Sequence, residues 1–137
     1  MKRITATTLL CTTLLFAASS KIDDKTGLIW QDDQNMQQEF SYEKAKTYCE
    51  NLKVDGYTDW RLPTLKELAT ILDLRVDRPA LKPGFNIRLS ERFWTATPNA
   101  AKPKEAWVIS FSYGEIESYP VRREYNVRCV RNAKKRK

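Results

Sequence analysis

The chain has 137 residues, 42% hydrophobic and 30% charged, with a formal net charge of +7; that length supports one domain with a buried core and leaves little room for a second. The excess charge sits at the ends: Lys2 and Arg3 open the chain, Arg131, Lys134, Lys135, Arg136 and Lys137 close it, and residues 21–130 hold 17 basic and 17 acidic side chains. A neutral body argues against a nucleic-acid face, and the lack of any histidine removes the usual general base and the commonest metal ligand.

Residues 1–20 read as a secretory signal peptide. Lys2 and Arg3 precede an uncharged run from Ile4 to Phe16, and the small residues Ala17, Ala18, Ser19 and Ser20 follow, with cleavage expected after Ala18, Ser19 or Ser20. The run is short for a membrane span, is diluted by threonines, and is followed at once by Lys21, Asp23 and Asp24, so no membrane span is expected after cleavage. Cys11 falls inside this peptide and lacks the small residue expected before a lipidated cysteine. Cys49 and Cys129 are then the only cysteines of the mature chain, and in an oxidising compartment they are expected to pair.

Residues 26–31 read as a short strand entered through Gly27, and a polar loop follows. Residues 41–53 read as a helix: Ser41 can cap it, Glu43 lies in its first turn, and Tyr42, Ala45, Tyr48, Cys49 and Leu52 recur at helical spacing. Asp55-Gly56 supplies a turn, Pro63 ends the extended segment 59–62, and Thr64 with Glu67 forms a Thr-x-x-Glu capping box. Leu65, Leu68, Ile71 and Leu72 give this second helix its buried stripe. Residues 74–92 read as a long ordered loop held by Leu81, Phe85 and Ile87.

The last third is strand-like at 93–97, 106–112, 115–119 and 126–131, with Tyr113-Gly114 as a tight hairpin turn. Early helices and a late meander predict an α+β domain, two helices packed on a small antiparallel sheet with irregular loops. The expected disulfide would tie the first helix to the final strand.

Taken together, Thr26-Gly27-Leu28-Ile29-Trp30-Gln31-Asp32, Ala45 with Tyr48-Cys49-Glu50, Gly56-Tyr57 with Asp59-Trp60-Arg61-Leu62-Pro63-Thr64, Phe93-Trp94-Thr95, Ala106-Trp107 and Val127-Arg128-Cys129-Val130-Arg131 resemble the C-terminal domain of the Legionella collagen-like protein family. The resemblance spans residues 21–131, leaving 132–137 as a basic tail. It implies a C-type lectin-like fold, related to formylglycine-generating enzymes, and an exported ligand-binding or adhesive module. In the founding protein the ligands are sulfated glycosaminoglycans and the assembly is a trimer on a collagen-like stalk; no Gly-x-y repeat occurs here.

No catalytic residue and no cofactor is assigned. A C-type lectin calcium site is marked by a Glu-Pro-Asn or Gln-Pro-Asp triplet, and here Thr97-Pro98-Asn99 has a threonine in place of the acid. Trp30, Trp60, Trp94 and Trp107 read as core rather than sugar-stacking residues, and Arg61 as half of an ion pair with Asp59 or Glu67. The concentrated positive charge of Arg122, Arg123, Arg131, Lys134, Lys135, Arg136 and Lys137 is the candidate ligand-binding set, for an anionic glycan, lipopolysaccharide phosphate or an anionic surface. The expected function is a non-catalytic binding module of the periplasm or cell surface. The runner-up is a structural or assembly subunit binding an envelope protein.

Overall fold

The computed structural model describes residues 19–86 and 91–133. Two short helices and eight strands form an α+β domain in chain order β1 (Ser20–Asp23), β2 (Leu28–Gln31), β3 (Glu39–Phe40), α1 (Tyr42–Asn51), α2 (Leu65–Ala69), β4 (Arg92–Pro98), β5 (Glu105–Ser110), β6 (Glu115–Pro120), β7 (Tyr125–Asn126) and β8 (Val130–Asn132). A 3-10 turn at Gln34–Gln37 is started by Asp33, whose carboxylate accepts from the Asn35 amide. Residues 1–18, within the stretch expected to be a signal peptide, the loop residue Ile87 and the tail residues Lys134, Lys135, Arg136 and Lys137 lie outside the described residues.

The strands make two sheets where the sequence suggested one. A three-stranded antiparallel sheet has the order β1-β2-β8, and a five-stranded sheet has the order β3-β7-β4-β5-β6. The second is antiparallel except where β7 meets β4 in parallel, Phe93 opposite Asn126. The predicted last strand is split in two, because the segment between Asn126 and Val130 leaves the large sheet and joins the small one. β1 escaped the sequence reading because its first residue lies among those assigned to the signal peptide.

Alternation along β4 explains how the large sheet is buried on both faces. Trp94 and, across the ladder, Val108 belong to a core with Tyr42, Ala45, Leu52 and Trp60 under α1. Phe93 and Ile109 point the other way, into a core with Leu68, Ile71, Leu81 and Phe111 under α2. Cys49 on α1 and Cys129 just before β8 form the expected disulfide, both fully buried, with a Cα–Cα distance of 5.5 Å.

The best-marked helix start is present as read: the Thr64 hydroxyl accepts from the Glu67 amide, and the Glu67 carboxylate accepts from the Thr64 amide at 2.9 Å. The helix itself is short, Leu65–Ala69, and from the turn beyond it Ile71 is buried and Leu72 partly buried against the same core. Ser41 precedes α1 in extended geometry but makes no side-chain cap. The long loop after α2 is fastened by the Leu72–Leu81 bridge and by Ala80, whose amide donates to the Phe111 carbonyl at 2.7 Å.

Candidate functional site

The arginines of the last strand region divide by burial. Arg128 is fully buried and Arg131 is 1% exposed. Arg128 donates from Nη1 to the Gln31 carbonyl and to the Asp32 carboxylate, each at 3.0 Å, and from Nη2 to the Asn86 carbonyl. Asp32 in turn accepts from the Asn86 amide at 2.8 Å and its side-chain nitrogen at 2.9 Å. The guanidinium also lies over Phe85 and Phe93, and burial lowers its pKa while Asp32 pulls the other way. This group latches the long loop to β2. Asp32 is thus the buried partner of a cation.

Arg131, a member of the candidate ligand-binding set, lies buried in an internal ion pair. Its guanidinium donates to both oxygens of Asp59, at 2.6 and 3.2 Å, and lies 3.6 Å from the Tyr57 ring centroid. Arg61 makes a two-point bond to Glu67 at 2.6 and 2.7 Å and a third to Asn132; of its two expected partners it takes Glu67. Three arginines therefore pin the turn region 54–61 and the long loop to the small sheet.

Trp30, Trp60 and Trp94 are core residues, as read, and Trp107 is partly exposed. Asn99, the residue that would stand in a calcium triplet, spends its amide internally: Nδ2 donates to Ser118 and Oδ1 accepts from Ala101.

The exposed candidates are Arg122 and Arg123, in the turn between β6 and β7. Strand pairing adds residues that linear reading passed over. Arg92 opens β4 opposite Ser110, and Tyr119 on β6 lies opposite Ala106, all on one face of the sheet by strand alternation. Both guanidiniums converge on Tyr119, Arg92 at 5.8 Å and Arg123 at 5.6 Å from its ring centroid. Tyr119 stands 5.1 Å from Tyr125, which packs edge-on to Trp94, and Trp94 packs edge-on to Tyr42. A row of rings thus runs from the core to a half-buried tyrosine between two cations.

Arg92, Ser110, Glu115, Glu117 and Tyr119 line a shallow depression there. The Tyr119 hydroxyl donates to Glu117, a bond to the neutral phenol that raises its pKa, so the ring is uncharged at neutral pH. Anionic, hydroxyl and aromatic partners could all be met on this face. Its signal in the sequence was the alternation Arg92, Trp94 on one strand and Glu117, Tyr119 on another, which becomes one surface only once β4, β5 and β6 are in register.

A second concavity, about 560 Å³, runs along α1 and is lined by Phe40, Glu43, Lys44, Thr47, Tyr48 and Leu52 among others. Phe40 and Tyr48 are stacked with centroids 4.8 Å apart, and Gln31 Nε2 donates to the Tyr48 hydroxyl at 2.9 Å. Among the described residues, no helix is long and apolar enough to cross a membrane.

A family model described as the Lcl C-terminal domain matches residues 21–131, well over half of the chain. No curated protein matches the chain.

Proposed function

The chain belongs to the Lcl C-terminal domain family, and from that premise we propose that it is an exported, non-catalytic module that binds an anionic glycan or similar polymer on the β4-β5-β6 face. The single observation that carries this reading is the approach of two guanidiniums, of Arg92 and Arg123, to the one Tyr119 ring, at 5.8 and 5.6 Å from its centroid. Two guanidiniums held at an aromatic ring suit a sugar bearing sulfate or carboxylate, each guanidinium offering paired donors to an anion. Glu115 and Glu117 on the same face offer acceptors to sugar hydroxyls. Residues 1–20 supply the export signal, and the site of action is the periplasm or the cell surface. The basic tail adds non-specific attraction, with Arg122 beside the face.

Titration of the ¹⁵N-labelled protein with a heparin oligosaccharide tests this. Amide and Arg Nε shifts concentrated at Arg92, Tyr119 and Arg123 are expected; shifts confined to residues after Asn132 would contradict it.

The alternative, an assembly subunit holding an envelope protein, draws on the groove along α1 with its stacked Phe40 and Tyr48. Co-purification of one envelope protein, lost on Phe40→Ser with glycan binding intact, would favour it.

A further inference from the structure

Resting on the export reading, we infer that the chain is cut between Ser19 and Ser20 and that the amino group released at Ser20 docks on Asp55. Two independent constraints meet at this one bond. The first is in the sequence: cleavage after an apolar run needs small residues at the last and third-last positions of the leader. A cut after Ala18 would put Phe16 at the third-last position, whereas a cut after Ser19 puts Ala17 there and a cut after Ser20 puts Ala18 there.

The second constraint is structural. Ser20 is the first residue of β1, opposite Gln31, and its hydroxyl donates to Asp55 Oδ2 at 2.5 Å across the turn that follows Val54. A cut after Ser20 would delete the first pair of the β1–β2 ladder and strip Asp55 of this donor. A cut after Ser19 keeps both, and gives up one bond, from the Asp32 amide to the Ser19 carbonyl at 2.9 Å.

Asp55 is also suited to receive a charge. It is exposed, and none of the ion pairs among the described residues includes it. A carboxylate bonded to a serine hydroxyl stands within a few ångströms of that residue's own backbone nitrogen, because the two atoms are joined through only Cα and Cβ. Hydrolysis by the exporting cell's signal peptidase adds the hydroxyl of a water to the Ser19 carbonyl carbon and its hydrogen to the Ser20 nitrogen. That nitrogen then takes a further proton at neutral pH and becomes an ammonium beside the carboxylate. Processing would thus turn a hydrogen bond into a charge-assisted one that clamps the start of β1 to the turn before Trp60.

The test uses the full 137-residue chain with its own leader, produced in a bacterium with a general secretory system. Intact mass of the exported protein should correspond to residues 20–137 with one disulfide. An exported protein beginning at Ser19 or Lys21 would overturn the choice of bond and leave export standing, whereas an uncut chain retained in the cytoplasm would overturn the export reading on which this rests. On the processed protein, the α-amine can be ¹³C-methylated and titrated by NMR. Its pKa should lie above the usual α-amino range and return to it in Asp55→Asn; equal values in the two proteins would overturn the docking.

Discussion

Arg128 donates to Asp32 at 3.0 Å with its own side chain fully buried, and the pair joins the approach to β8, the end of β2 and the long loop through Asn86. Its strength depends on both members being present. Removing one leaves the other charged and buried, which costs far more than the net worth of the pair.

Arg128→Ala is therefore expected to lower unfolding free energy by about 3–5 kcal/mol. Arg128→Met, which fills the volume without the charge but still strands Asp32, is expected to fall nearly as far. Urea denaturation measures both, and hydrogen exchange should show faster opening around residues 80–86 in either variant. A surface-like loss below about 1 kcal/mol would contradict the latch.

The Cys49–Cys129 disulfide joins residues 80 apart in sequence. Restriction of so long a loop in the unfolded chain is worth roughly 4 kcal/mol in the chain-entropy picture. Cys49→Ala with Cys129→Ala should lower the urea midpoint accordingly, and the mature protein should show no free thiol with Ellman's reagent until it is denatured and reduced.

Glu67 ties the capping box to Arg61. The Arg61 guanidinium, aided by the Thr64 backbone amide, holds its carboxyl below the usual carboxylate range although partial burial opposes this. A folded-state pKa below the unfolded one gives stability that is present above the unfolded value, near 4.3, and is lost as pH falls through the folded value. Glu67→Gln should be less stable than the wild type at pH 7, and the two stability curves should converge on acidification below pH 4. Thr64→Ala should cost about 1 kcal/mol at pH 7 through the lost cap alone.

What the sequence made legible was local or covalent. Thr64 and Glu67 are three residues apart, Tyr42, Ala45 and Cys49 share a helix face, and Cys49 and Cys129 are the two cysteines outside the stretch read as a signal peptide. The partners of the two buried arginines are remote and so not legible locally: Arg128 and Asp32 are 96 residues apart, Arg131 and Asp59 are 72 apart. In linear order Arg128 and Arg131 look continuous with the basic tail. Folding buries both and leaves Arg123 to meet Arg92, 31 positions earlier, over a tyrosine between them. Side chains that meet only through sheet register leave no local periodicity to read.

The binding face is tested most directly by salt elution of the full-length mature protein from heparin beads, comparing wild type with Arg92→Gln/Arg123→Gln. Both arginines are exposed, so the variant should keep the wild-type circular dichroism spectrum and melting temperature. It should elute at clearly lower salt although its basic tail is intact, since two of the cations that face the sugar are gone. Elution at the wild-type salt concentration by a correctly folded double variant would contradict the assignment of ligand binding to this face.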